Sequence, residues 1–520
     1  MSELQDTVSH KTVATVLGLD VGTQGARAIV CTLSGEVVAR AEQAFPPGTV
    51  ATDLPPGYAE QDPEGWWQAV SACLRQALSS CRPETIQALS VTSTSGTILL
   101  LDTDGCPLTR ALMYNDTRAQ AEADEVQAAG AELAARLGYR FNASFGLARL
   151  LWLARHEPHR LAAARHLVHA ADFIVGRLTG TYNVTDYSNA LKSGYDLSPG
   201  PRGIHDRWPD FIGDALALPT DLLPRVVAPG EVIATVSAGA AGITGLRSGT
   251  PVVAGMTDGC AGQIAAGAVA PGEWNSTLGT TLVVKGVTAT LVRDPLGRIY
   301  SHRHPDGHWL PGGASNVGGE ALAVGFPGAD LRRLDQLAAS LCPTDLIVYP
   351  LVRRGERFPF LAPQAEGFSV FFPGRAVECT SQGWPHSPAP DHRNADAVIR
   401  YAACLEGVAY VERLAYDILA TLGAGVGDAI CAAGAAARSD VWLQIRADVL
   451  YRRMIRPLEP GAAMGAAILA ASRTAFDGLI PAARAMVNVE RSFEPRPMLA
   501  GLYDERYRCF HDVCAERGYV

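Results

Sequence analysis

The run Asp20-Val21-Gly22-Thr23-Gln24-Gly25-Ala26-Arg27 brings together, in close order, three things that anion chemistry needs. A carboxylate at a strand end can hold a metal, a Gly-Thr turn offers bare backbone amides that wrap an anion, and an arginine on the returning strand adds a fixed positive charge. Such a turn would hold a phosphate and its metal. An ordinary β-turn with a capping aspartate reads the same way, so a second copy of the pattern matters: Leu278-Gly279-Thr280-Thr281 repeats the Gly-Thr turn between two apolar runs. A nucleotide clamped between two domains needs a phosphate loop from each. Asp258 lies where the apolar run Thr250 to Gly255 gives way to a small-residue helix, and there the helix N-terminus keeps a carboxylate ionised and able to accept a proton. An N-cap aspartate occupies the same position, and the two roles are compatible.

Other chemistries lose their footing. The chain has no G-x-x-x-x-G-K-[ST] loop, no G-x-G-x-x-G after a strand, no H-E-x-x-H and no G-x-S-x-G. His302, His304 and His308 fall together in a polar stretch without matching cysteines or carboxylates, which reads as solvated loop histidines in preference to a metal site. Lysine chemistry is confined to Lys11, Lys192 and Lys285; the other 41 of the 44 basic residues are arginines, which stay protonated. With 53 acidic residues the net charge is −9, which repels polyanions and argues against nucleic acid or an anionic membrane as partner while leaving a small anion open. The eleven cysteines are scattered with no C-x-x-C pair, and Met1 to Lys11 is polar, so reduced thiols in a cytoplasm are expected. No apolar run reaches the roughly 18 to 20 residues that a bilayer span requires.

What must position these groups is an alternation of strands and helices. At 520 residues the chain exceeds one core, and two large domains are expected, 12–268 and 269–500. Val13 to Leu19 predicts a buried strand leading through a Gly-containing hairpin to a second strand, and Asp62-Pro63 starts a helix running from Trp66 to Ser79. Ile86 to Val91 and Thr97 to Leu101 read as strands around a polar turn. Helical spacing dominates Asp124 to Arg177, including Ala148 to Ala154 and Ala162 to His169, whereas Thr179 to Leu223 shows few clear elements. Thr250 to Gly255 reads as a strand and Cys260 to Val269 as a helix. The second hairpin follows, and two such hairpins imply an internal duplication. Pro373 to Asn394, with Cys379 and Trp384, reads as a surface insertion. A long helix from Asp396 to Leu422, a strand at Asp428 to Ala432, a helix opened by Gly434 and running through Val441 to Leu450, and a last helix from Gly461 to Ser472 complete an α/β chain.

In this order the segments resemble the FGGY carbohydrate kinase family of the actin and Hsp70-like ATPase superfamily. The two hairpins and Asp258 carry the likeness, together with Tyr58-Ala59-Glu60-Gln61-Asp62-Pro63 and Trp66-Trp67, Met113-Tyr114-Asn115-Asp116-Thr117-Arg118, and Gly434 to Asp448 with Ser439, Trp442 and Gln444. Within the family the chain is similar to the plant and cyanobacterial xylulose-kinase-like group that acts on D-ribulose, through Thr94-Ser95-Gly96-Thr97 where many xylulose kinases carry Gln-Met-His-Gly, and through Tyr187 to Lys192, Gly312 to Gly319 and Arg354 to Pro359. The resemblance implies two ribonuclease H-like domains about a central cleft and an ATP-dependent kinase for the terminal hydroxyl of a pentulose. D-ribulose is favoured, with D-xylulose or another polyol as the alternative and a non-catalytic superfamily member as a distant one. It implies Asp258 as catalytic base and Asp20 as the Mg2+ ligand. ATP would meet Thr23, Arg27, Gly279, Thr280, Gly313, Gly434, Ala435 and Ser439, and the sugar Asp20, Ser95, Asp116 and Asp258. Trp66 and Trp67 read as packing residues. Where the family has Gly-Gly-Gly-Ala, this chain has Gly434-Ala435-Ala436-Ala437, which adds two methyl groups near the purine. A small-molecule sugar is the expected partner, and the family's frequent dimers point to a homodimer.

Overall fold

The computed structural model describes residues 13–200, 203–204, 207–372 and 395–520, and its two large sheets are built to one plan. The first apolar run forms β1 (Thr15–Val21), buried throughout, which turns back as β2 (Gly25–Thr32) and β3 (Val37–Ala44). With β4 (Ile86–Ser93), β5 (Val232–Thr235) and β6 (Pro251–Val253) the strand order is β5-β6-β4-β1-β2-β3. The second sheet uses β7 (Trp274–Leu278), β8 (Leu282–Gly286), β9 (Ile299–Arg303), β10 (Trp309–Ala314), β11 (Ala429–Ala433), β12 (Arg453–Pro457) and β13 (Val489–Phe493), in the order β9-β10-β8-β7-β11-β12-β13.

The six strands of the first sheet each have a counterpart in the second, which adds β9 at its edge. β1 is antiparallel to β2 and β2 to β3, as β7 is to β8 and β8 to β10. β1 runs parallel to β4 and β4 to β6, as β7 does to β11 and β11 to β12, and each series ends on an antiparallel edge strand. The duplication implied by two hairpins therefore extends across both sheets.

Helix α1 (Pro63–Leu78) starts as its Asp62 cap and Pro63 dictate. The other helices that matter to the site are α2 (Tyr187–Lys192), α3 (Asp258–Ala265), α4 (Ala395–Thr421), α5 (Asp440–Leu450) and α6 (Ala462–Ser472). Every residue of α6 from Ala463 to Ser472 is buried, and its small side chains let it lie directly on β1 and cross α3. A Cβ on Gly18 would sit 1.8 Å from the Ala463 carbonyl oxygen, and one on Gly465 would sit 1.9 Å from that of Ala261. A helix from the C-terminal half thus seals the first sheet and joins the two halves. No helix among the described residues is long and apolar enough to cross a membrane.

Several expectations are corrected. The helix expected over Ala162 to His169 ends at Ala163, and His166–His169 is a strand paired with Ile98–Leu101, which buries Leu167 and Val168. Tertiary pairing overrides the local alanine signal here. Ile98–Leu101 consequently belongs to a separate small sheet and not beside β4. Gly434 opens a 3-10 turn, Ala435–Arg438, and α5 starts afresh after Ser439. Two helices, Leu479–Met486 and Ala500–Glu516, follow α6, so it is not the last. His302 and His304 are buried, on and just after β9, and are not solvated loop residues. The expected insertion from Pro373 to Asn394 lies outside the described residues.

Candidate active site

Asp20 sits opposite Arg27 in the β1–β2 register, so the hairpin itself sets carboxylate against guanidinium. Arg27 Nη1 lies 3.3 Å from Asp20 Oδ2 while its Nε bonds Glu42, and Asp20 Oδ1 is buried with no partner among the described residues. Burial, then the charge of Asp258, outweighs Arg27 and pushes the Asp20 carboxyl up to about 7. Thr23 and Gln24 at the tip are exposed. The tip is braced from behind: Gln61 Nε2 donates to the Thr23 carbonyl at 2.8 Å, and the buried Trp66 indole donates to Gln61 Oε1 at 2.7 Å. Trp66 is a packing residue, as expected, and it acts on the loop through Gln61.

Asp258 is the first residue of α3, not its cap; Thr257 holds that place. Its Oδ1 accepts the Gly259 N–H at 2.6 Å. Burial raises its carboxyl above the usual carboxylate range, against the Gly259 amide and then the Lys285 charge, which lower it. A raised carboxylate is a stronger base once ionised. The peptide leading into it is fixed by two hydroxyls. Thr92 donates to the Met256 carbonyl at 2.6 Å, and Ser188 accepts the Thr257 N–H at 2.8 Å while donating to Asp186 at 2.5 Å. Asp186 also caps α2. The Tyr187 to Lys192 segment therefore fixes the peptide ahead of Asp258, a role its sequence does not reveal.

Ser95 follows β4 on a turn held by the buried Arg149, which donates to the Gly96 carbonyl at 2.6 Å and to Tyr114 and Asp116 carbonyls. Of the hydroxyls on Thr92, Ser93, Thr94, Ser95 and Thr97, only that of Ser95 has no partner, although it is buried. Asp20 Oδ1 and Ser95 Oγ are thus polar atoms that nothing in the described protein satisfies.

Asp116 does not join them. It is fully buried, with Oδ2 accepting the Ala59 N–H at 2.7 Å and both oxygens held by Arg118, whose guanidinium also bonds Glu60 and lies 3.8 Å over the Tyr58 ring. With both oxygens spent, Asp116 locks the Tyr58 and Met113 segments into one unit and has none left for a sugar.

In the second half, Gly279 has open space where a Cβ would stand, and Thr280 is exposed. Gly319 N–H donates to the Gly279 carbonyl at 2.8 Å, and a Cβ on Gly318 would strike the Thr280 carbonyl oxygen at 2.5 Å. That pair must be glycine to cradle the loop. The preceding turn is held by the buried Glu356, which accepts from Ser315 Oγ and the Asn316 N–H, each at 2.8 Å. Gly434, at φ 88°, packs onto the Leu278 backbone, where a side chain would meet the carbonyl oxygen at 2.5 Å. Gly434 and Ala435 are exposed while Ala436 and Ala437 point into the core, so only one of the two extra methyl groups faces outward. Gly313 departs from expectation: it is buried in mid-strand, and a Cβ there would enter the Phe358 ring at 2.8 Å, so its role is packing. Ser439 Oγ accepts the Trp442 N–H at 3.0 Å and so caps α5. Gln444 and Asp448 likewise bind each other and the 494–496 segment.

Among the described residues no group of three or more His, Cys, Asp or Glu side chains gathers to hold a metal. The orphaned Asp20 oxygen instead fits Mg2+, which binds through one or two carboxylates together with water and phosphate.

Two duplicated α/β halves, each presenting a Gly-Thr hairpin, with a carboxylate at the N-terminus of the helix between them, are the two-domain plan of the sugar kinases with the actin and Hsp70-like ATPase fold. Residues 15–265 match the N-terminal domain of the FGGY family of carbohydrate kinases and residues 274–474 its C-terminal domain, and the chain belongs to that family. It is 24% identical to a xylulose kinase of Bacillus subtilis (strain 168) over 96% of each chain, and 26% identical to a gluconokinase of the same organism over 87% of this chain and 86% of the other. The crystal structure of xylulose kinase from Rhodospirillum rubrum superposes with a TM-score of 0.80 at 29% identity, covering 96% of this chain and 98% of that one.

Proposed function

We propose that the chain transfers the γ-phosphoryl group of ATP to the terminal hydroxyl of a pentulose, D-ribulose ahead of D-xylulose. The observation that carries the reading is the pair of unspent oxygens, Asp20 Oδ1 and Ser95 Oγ, on segments that adjoin Asp258: Asp20 feels its charge, and Ser93 pairs with Thr257. Buried polar atoms without partners cost about 1 to 3 kcal/mol each, and a polyhydroxylated ligand satisfies them. Asp258 takes the proton of the sugar hydroxyl as that oxygen bonds to the γ-phosphorus and the bond to the β-phosphate breaks. The amides and hydroxyls of the Thr23 and Thr280 turns, with Arg27, hold the phosphates. Mg2+, held by Asp20, would neutralise charge on the triphosphate. Little covalent help is needed, so positioning and electrostatics supply the barrier reduction. Asp258 closes the first unit, 12–268, and the nucleotide turn opens the second, 269–500, so shutting the cleft assembles the reactive geometry and excludes water.

D-ribulose is favoured by Ser95 standing alone in a turn without the Met-His pair; D-xylulose is favoured by the names of the relatives. ADP release over D-ribulose, D-xylulose, L-ribulose, glycerol, gluconate and no sugar separates them. Stimulation by D-ribulose above all others is the expected result. A wide lead for D-xylulose overturns the sugar assignment, and a lead for gluconate overturns the pentulose class.

A further inference from the structure

Two of the three lysines lie among the described residues, and both bring an ammonium to one end of this site. Lys192 ends α2, is 7% exposed, and holds its Nζ 4.5 Å from the Phe145 ring and 4.9 Å from that of Tyr300. Lys285, on β8, runs over Gly312 to the first turn of α3. A Cβ on Gly312 would lie 2.9 Å from its Cγ, and one on Gly259 would lie 3.4 Å from its Cε and 3.7 Å from its Nζ. Those two glycines give the side chain its channel. Among the described residues its only side-chain hydrogen bond runs to Cys260 Sγ at 3.5 Å, and no carboxylate pairs with it. His302 lies near both lysines; burial and then their charges hold it neutral, and its Nδ1 has no partner. Around Lys285 the charged and titratable groups are thus Asp258, Cys260, Tyr300, His302 and, beyond Tyr300, Lys192. Burial pulls the Lys285 ammonium down, but Cys260 and Tyr300, and more weakly Asp258, lift it above the ordinary lysine value, so it remains a cationic donor.

We propose that Lys285 binds the ketone oxygen of an open-chain ketose and thereby selects ketoses over the corresponding alditols. The inference rests on the pentulose reading above. A 2-pentulose closes its five-membered ring only through its terminal hydroxyl, the one remote from the carbonyl. That is the hydroxyl Asp258 must deprotonate, so the reacting sugar is open-chain with a free ketone. A ketone oxygen accepts and cannot donate, and it needs a donor inside the site. Asp258 must be ionised to act as base and Asp20 to hold Mg2+, so neither can supply one, and Ser95 carries a single proton. Lys285 carries three, engaged in the described structure only by a thiol. An alditol in the same place brings a hydroxyl proton that the Lys285 ammonium cannot accept.

The test compares kcat/KM for D-ribulose and D-xylulose with that for ribitol and xylitol in the full chain and in Lys285→Met and Lys285→Arg. The wild type is expected to prefer ketoses. Lys285→Met should lower kcat/KM for the ketoses about 10- to 100-fold and for the alditols far less, collapsing the ratio, while Lys285→Arg, which keeps a donor, retains most of it. The ratio cancels any effect of the substitution on Asp258, because the same base serves both substrates, and on folding, because both are measured on one preparation. An unchanged ratio in Lys285→Met, or equal losses for ketose and alditol, overturns the inference alone. A wild type that phosphorylates no pentulose overturns the pentulose reading and the inference with it.

Discussion

At the scale of single residues, the site depends on groups that hold other groups still. Ser188 touches no reacting atom in this account, yet it fixes the peptide ahead of Asp258, and a misplaced base loses rate without losing binding. Ser188→Ala should lower kcat about 10-fold with KM for ATP close to wild type, and should cost about 1 to 3 kcal/mol of stability by orphaning the Thr257 N–H; an unchanged kcat in the folded variant would mark the contact as purely structural. Asp20 gives a pH prediction. Its carboxyl is raised on folding from 3.8 to about 7, so its ionisation opposes folding, and the stability present below about pH 4 is lost as pH climbs through 7. Without ligands, Asp20→Asn should therefore be neutral at pH 4 and more stable than wild type at pH 8 by roughly 2 to 4 kcal/mol, less whatever Arg27 forfeits, measured by denaturant unfolding. Asp20, Arg27 and Asp258 were legible in the sequence because carboxylate, Gly-Thr turn and helix start adjoin along the chain. Asp116 and Ser439 were ambiguous because a buried ion pair and a helix cap use the same residue types as a ligand contact. Ser188, Arg149 and Glu356 act across 69, 53 and 41 positions of chain, where no local pattern can announce them.

At the scale of elements, the strands flanking each hairpin follow from their apolar runs, and the caps of α1 fix its start. What spacing could not foresee is where strand pairing overrides local preference, as at His166–His169, whose alanine-rich lead-in reads as helix. Glycine content in α6 is legible as tight packing, but its target is not: α6 presses on β1 and α3, hundreds of residues earlier in the chain. Gly465→Val should destabilise the protein by at least about 3 kcal/mol, since its Cβ alone would overlap the Ala261 backbone. Denaturant unfolding checks this, and tolerance of valine would mean the crossing is looser than described.

For the whole molecule, the matched sheets place equivalent hairpins in two halves, with α3 and α6 as the joint between them. In the proposed reaction Asp20, Ser95 and Asp258 belong to the first half, and Lys285 with the Thr280 turn to the second. Chemistry then requires both halves at once. The most direct test is nucleotide turnover with and without D-ribulose in wild type and Asp258→Asn, alongside ATP affinity. The account predicts sugar-stimulated ADP release in the wild type, a loss of at least about 100-fold in the variant, and ATP binding that is nearly unchanged. Sugar-stimulated turnover that survives in Asp258→Asn would contradict it.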